Sequence, residues 1–179
     1  MPDQLVIGIP REVMPHEGRV PLLPDSVERL KKVVAYRHDL QVVVERGVGS
    51  SLGISQTNWI QAGAYLCAKA DVYARANIIL KVKQPFAEEV DLYSPGQISL
   101  CFHHMATNRE VVSALVAKNV RIVPFEYYRP SLGAMSKEAG RQVTTILTRL
   151  CGECWKEEHI FFGGGRGLVC QHAILDCRL

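Results

Sequence analysis

Leu5-Val6-Ile7-Gly8-Ile9-Pro10 is a short, largely β-branched apolar run closed by a proline. Its length and composition mark it as a strand buried on both faces. The same pattern recurs outward from it. Asp25-Ser26-Val27-Glu28 supplies an N-cap with Glu at the third helical position, and Val27, Leu30, Val33 and Val34 follow on one face. Leu40 to Glu45 is a second strand, and the glycines at 47, 49 and 53 make the next loop flexible. A helix from Ser55 to Ala62, a strand from Ala64 to Cys67, a helix from Asp71 to Ala76 and a strong strand from Asn77 to Val82 come next. After a loop holding Pro85 and Pro95, Gln97 to Phe102 is a strand. Thr107 to Glu110 is a second capping box, and Val120 to Pro124 is a last strand. Alternating strands and helices with near-continuous apolar strands predict a doubly wound, mostly parallel sheet with helices on both faces, Rossmann- or flavodoxin-like.

The composition of the 179 residues, 47% hydrophobic and 22% charged, fits a globular protein with a sizeable core. The formal charge of +3 is small and spread out, which argues against nucleic acid or an acidic membrane as main partner. No apolar run approaches the ~20 residues a membrane helix needs. The polar start Met1-Pro2-Asp3-Gln4 has no secretory character. A cytoplasmic protein is expected.

Four basic or histidine-bearing islands stand out. They are Glu17-Gly18-Arg19-Val20, Leu80-Lys81-Val82-Lys83, Phe102-His103-His104 and the segment from Met135 to Arg141. The first three lie at or near strand ends, where open α/β sheets gather ligand-contacting residues. Arg offers a planar fork that matches a carboxylate bidentately. A Lys beside it polarises a keto oxygen, and a His exchanges protons near neutral pH. A hydride has to come from a cofactor.

Each residue also has an ordinary role open to it. An arginine beside a strand commonly pairs with a surface carboxylate. Lys81 and Lys83 alternate on one strand and share a face, and strand-end lysines are commonly solvated. His103 and His104 point opposite ways, so only one faces a crevice, and the residues alone do not say which.

Taken in order, the islands resemble the N-terminal domain of the alanine dehydrogenase and pyridine nucleotide transhydrogenase family. The matching stretches are Ile7 to Glu12, Gly18 to Pro24, Ala70-Asp71, Ile79 to Pro85, Gly96 to Ile98, Met135-Ser136 and Ala139 to Arg141. His104 and the Lys83 island favour the alanine dehydrogenase branch. Arg19 to Pro24 is also similar to carboxyethylornithine synthases and, more distantly, saccharopine dehydrogenases.

The resemblance implies an enzyme converting L-alanine, NAD and water to pyruvate, ammonium and NADH. It places a small keto or amino acid on this domain, and NAD or NADP mainly on a second, missing one. It assigns the substrate carboxylate to Arg19, the carboxylate or keto oxygen to Lys83, and acid/base work to His104. It also implies a homo-oligomer when complete. The chain alone would then be inactive, because hydride transfer needs nicotinamide and substrate in one site. Four alternatives stand beside it: an imine-reducing opine-type enzyme, a transhydrogenase alpha-subunit fragment, a keto- or amino-acid-binding module without chemistry, and a non-functional fragment.

The expected organisation is a family-like domain over residues 1–135, a connecting helix at 136–150 and a tail at 151–179. Ala139, Val143, Ile146, Leu147 and Leu150 share one stripe of that helix. The tail holds four of the six cysteines, at 151, 154, 170 and 177. Cys151 and Cys154 start a zinc-like spacing that His159, Cys170, His172 and Cys177 do not complete, so no metal is expected. Gly163 to Gly167 does not meet the G-x-G-x-x-G fingerprint, because Leu168 stands where its last glycine belongs, and is similar to the linker preceding the family's cofactor domain. Gly47 to Gly53 likewise reads as a turn and not a phosphate cradle.

Overall fold

The computed structural model describes residues 4–34 and 39–127. Residues up to Glu126 fall in one compact unit, Met1–Glu126. The helix expected at 136–150 and the tail at 151–179 lie outside the described residues.

Six strands, β1 (Gln4–Ile9), β2 (Asp39–Glu45), β3 (Tyr65–Cys67), β4 (Ile78–Lys83), β5 (Ile98–Phe102) and β6 (Arg121–Pro124), form one sheet in the order β3-β2-β1-β4-β5-β6. Every pairing is parallel. The chain winds outward from β1 through β2 to β3, then returns to β4 on the other side of β1 and winds the opposite way. Parallel neighbours need crossover connections. These carry α1 (Pro24–Val34), α2 (Gln56–Gln61), α3 (Lys69–Arg75), α4 (Ala87–Val90) and α5 (Arg109–Ala117).

The two-residue period of the strands sends their side chains to two separate cores. Ile7, Ile9, Val42, Val44 and Leu80 pack with Val27 of α1 and Trp59 of α2. On the other face Ile79 packs with Tyr73 of α3, Val90 of α4 and Leu115 of α5, while Val6 and Val43 meet Val72 of α3. Gly8 permits this second layer. A Cβ there would stand 2.8 Å from the Ala76 Cβ and 2.9 Å from Val72 Cγ1, so α3 lies directly on the β1 backbone. The doubly wound sheet expected from the strand pattern is the sheet observed.

Three local expectations differ. Helix α1 starts at Pro24, and Asp25 sits in its first turn instead of capping it. Proline suits that first position, since its fixed φ is helical and no N–H is wasted. At α5 the N-cap position is Asn108, without a side-chain cap bond. Thr107 Oγ1 instead donates to the His104 carbonyl (3.0 Å), and Asn108 Nδ2 donates to the His103 carbonyl (3.1 Å). Both polar side chains are spent closing the turn after β5. The segment between Pro85 and Pro95 is not all loop, because it contains α4, where Glu89 accepts the Phe86 N–H at 3.1 Å.

Candidate functional site at the β1/β4 switch point

Strands β1 and β4 pair only through Ile7–Ile78 and Gly8–Ile79, then diverge where the winding direction reverses. A crevice outside the carboxyl ends of the strands at such a reversal is the usual ligand position of open α/β sheets. The crevice here lies beside that reversal, between the segments that follow β1 and β2; it has a volume of about 260 Å³ and is lined by residues 10–12, 16–21 and 47–51.

Its walls are fixed by side chains. On the β2 side, Gly47 and Gly49 have φ of +89° and +79°, and the segment runs through hydrogen-bonded turns into a 3-10 turn at Ser50–Leu52. The buried Trp59 indole N–H donates to the Val48 carbonyl at 3.0 Å and holds that wall against the core. The segment read as a flexible loop is therefore an ordered wall, built of turns as expected. On the β1 side, the Glu45 carboxylate accepts the Arg11 N–H at 2.7 Å. Ser51 Oγ donates to the Gly18 carbonyl (3.1 Å), and a Cβ on Gly18 would come within 2.7 Å of that oxygen. Glycine at 18 therefore lets the Arg19 loop dock on the serine turn.

Arg19 is held by Glu17. The Arg19 Nε–H donates to Glu17 Oε1 at 2.8 Å, Nη2 donates to Oε2, and the Arg19 backbone N–H also reaches Oε1 at 2.9 Å. The Glu17 side chain is 8% exposed and that of Arg19 42%. Hydrogen bonding from Arg19 holds the Glu17 carboxyl below the usual carboxylate range, and the Lys83 charge adds to this. The same bond raises the Arg19 pKa. Arg19 thus bonds this carboxylate, and the charge of Lys83 acts on it.

Glu12 spans the gap where β1 and β4 part. Its Oε1 accepts the Val82 N–H at 2.6 Å, and its Oε2 accepts that of Lys83 at 3.3 Å. Burial raises the Glu12 pKa, opposed by the nearby Lys81 charge and by these two N–H donors. The strand-end lysines do not share one fate. Lys83 is part-exposed, whereas Lys81, expected to be solvated, is 1% exposed, bonded to Glu89 and 4.0 Å from Glu12.

The two histidines diverge as their adjacent positions require. His103 is 1% exposed, its Nε2 lies 3.2 Å from the Ser99 carbonyl, and burial lowers its pKa. His104 is exposed, with φ of +48°, and its ring stacks on Phe102 at 6.1 Å between centroids. The Glu126 carboxylate accepts both backbone N–H groups, at 3.2 Å and 2.7 Å. His104 follows by two residues Phe102, the partner of Lys83 in the sheet. No contact among the described residues joins its ring to Arg19 or Lys83. The structure therefore sets Arg19 at the crevice, with the Lys83 charge acting on its partner Glu17, and leaves His104 at the next strand end.

Residues 8–139 match the family described as alanine dehydrogenase/PNT, N-terminal domain. The chain belongs to that family. It is 29% identical over 175 residues to an alanine dehydrogenase from Bilophila wadsworthia, covering 94% of this chain and 45% of that protein. One from Mycobacterium tuberculosis is 34% identical over 164 residues, covering 91% and 42%. Among solved structures, an L-alanine dehydrogenase superposes with a TM-score of 0.72 at 28% identity, over 83% of this chain and 42% of that one. A transhydrogenase from Sinorhizobium meliloti gives 0.69 at 27% identity, over 82% and 42%. The chain thus spans less than half the length of these relatives.

Sequence reasoning singled out Arg19, Lys83 and His104 but gave no role to Glu12, Glu17 or Glu89. Only Glu17 carried a signal, its place two residues before an arginine across a glycine. Among the described residues no group of three or more metal-ligating side chains gathers, and no helix is long and apolar enough to cross a membrane. The connection after β1 also does not fit a dinucleotide. It presents the carboxylates of Glu12 and Glu17 where a pyrophosphate needs a glycine-rich turn and backbone N–H groups.

Proposed function

We propose that this crevice is the substrate half-site of an alanine-dehydrogenase-like oxidoreductase, which interconverts L-alanine and pyruvate plus ammonium with NAD or NADP as hydride partner. The observation that carries this reading is the part-exposed guanidinium of Arg19, held on Glu17 in the crevice, with the Lys83 charge acting on the same carboxylate. A small α-keto acid presents one carboxylate and one carbonyl oxygen a few ångströms apart. Arg19 takes the carboxylate through a planar fork. Lys83 offers its ammonium to the keto oxygen and stabilises the charge that develops there. His104, exposed beside the end of β4, exchanges the proton as carbonyl becomes imine and amine. The nicotinamide supplies the hydride when bound. Its dinucleotide does not fit the connection after β1, so the described residues serve the substrate. Family likeness supports this division of labour, and it supports a cytoplasmic homo-oligomer as the working form.

The test is titration of the chain with pyruvate, followed by NMR. Saturable shifts at the amides of residues 16–21 and 82–84 are expected, and Arg19→Ala should abolish them. Unchanged pyruvate affinity in Arg19→Ala would overturn the assignment.

A further inference from the structure

The Arg19–Glu17 pair uses only part of the guanidinium. Arginine has two edges able to grip a carboxylate, one made by Nε with Nη2 and the other by Nη1 with Nη2. Glu17 occupies the first. Among the described residues nothing occupies the second. The clamp is rigid from below: Glu17 is nearly buried, and its Oε1 also bonds the Arg19 backbone N–H, so carboxylate and loop hold one another. Gly18 between them is tied to Ser51 by the hydroxyl bond to its carbonyl. Arg19, by contrast, is 42% exposed and would otherwise sample many rotamers.

We propose that Glu17 is a positioning residue, which fills the Nε–Nη2 edge of Arg19 and so fixes the plane in which the Nη1–Nη2 edge meets a substrate carboxylate. This rests on the proposed function, since it takes Arg19 as the carboxylate ligand. A competing role for the same contact is an internal decoy, with Glu17 occupying the anion site until substrate displaces it. The geometry opposes the decoy, because a carboxylate on the side edge leaves the end edge open. Fixing the fork before binding removes an ordering cost that the ligand would otherwise bear. The charges of Lys83 and Glu12 also act on Glu17 and Arg19 respectively.

The experiment compares wild-type, Glu17→Gln and Arg19→Lys in the full chain, with two readouts. The first needs no ligand: the Arg19 Nε–H signal in ¹⁵N-edited spectra, slow to exchange in wild-type and broadened or lost in Glu17→Gln. The second is pyruvate affinity, expected to fall about tenfold in Glu17→Gln, while thermal midpoint and the remaining amide spectrum stay in place. A purely structural role would move those last two instead, and overturns the proposal. Tighter pyruvate binding by Glu17→Gln establishes the decoy and likewise overturns it. Pyruvate that shifts no wild-type resonance, or binds Arg19→Lys as well as wild-type, refutes the proposed function itself. The Nε–H signal separates that failure from a failure of the clamp.

Discussion

Lys81 and Glu89 form a buried ion pair across the β4–α4 corner, with Nζ 2.7 Å and 2.6 Å from the two carboxylate oxygens and the side chains 1% and 0% exposed. Tyr73 donates its hydroxyl to the same carboxylate at 2.9 Å, and Lys69 approaches it at 3.6 Å. This ionic core lies directly behind the strand end that presents Lys83.

Breaking the pair from one side leaves a buried, unmatched charge. Glu89→Gln is expected to cost about 3–5 kcal/mol, whereas adding Lys81→Met to it removes the orphaned charge and restores much of the loss. Urea unfolding of both variants checks this. Equal destabilisation of the single and double variants would show that packing, and not charge, dominates the corner.

Glu12 ties the two diverging strands, so Glu12→Ala should free the Val82 and Lys83 amides and weaken pyruvate binding through Lys83. Its titration adds a pH signature. Because burial raises its pKa in the folded state, the folded chain binds that proton more tightly than the unfolded one. The ionised carboxylate therefore costs stability above the folded pKa, and the cost fades as pH falls through it. Wild-type should gain stability relative to Glu12→Gln on acidification toward pH ~4.5, measured by unfolding at a series of pH values.

His103 behaves in the opposite sense. It is buried, its pKa is lowered, and its Nδ1 has no hydrogen-bond partner among the described residues. Below the unfolded-state value of about 6.5 the unfolded chain takes up a proton that the folded chain resists. Stability attributable to this group should fall as pH drops below that point. The difference in unfolding free energy between wild-type and His103→Leu, followed from pH 7.5 to 5, reports it. A pH-independent difference would mean that the ring is accessible to protons in the folded state.

Gly8→Ala tests the contact between β1 and α3. The new methyl would meet the Ala76 Cβ at 2.8 Å, and neither strand nor helix backbone can retreat without repacking. A loss of about 1–3 kcal/mol is expected from such overpacking. An unchanged thermal midpoint would show that α3 shifts freely over the sheet.

The sequence alone determined much of this protein. Runs such as Leu5 to Ile9, Val42 to Val44 and Ile78 to Leu80 are apolar at successive positions, a local property that requires burial on both faces and hence the doubly wound sheet. Arg19 and Lys83 were singled out only through the family resemblance, because read locally each could equally be a solvated surface residue. The His103 and His104 positions were legible only as a pair, since alternation fixes their opposition but not which of them faces outward. The small helices α2 and α3 were legible, but α4 and two caps escaped, because Thr107 and Asn108 had a better use than capping, α1 starts at Pro24, and Glu89 closes a turn of helix in a loop-like proline context.

Tertiary structure alone decided the pairings of charge. Lys81 and Lys83 are the same residue type two positions apart, yet one is buried on Glu89 and the other stands part-exposed. Glu12 became a strand tie only when residues 71 positions apart were brought together, and Glu89 a buried counter-ion only when α4 packed against β4; the Glu17–Arg19 pair is local. Hydrophobic burial follows local pattern, so it can be read along the chain. An ion pair depends on desolvation and on distances of a few ångströms, and those exist only once the chain has folded.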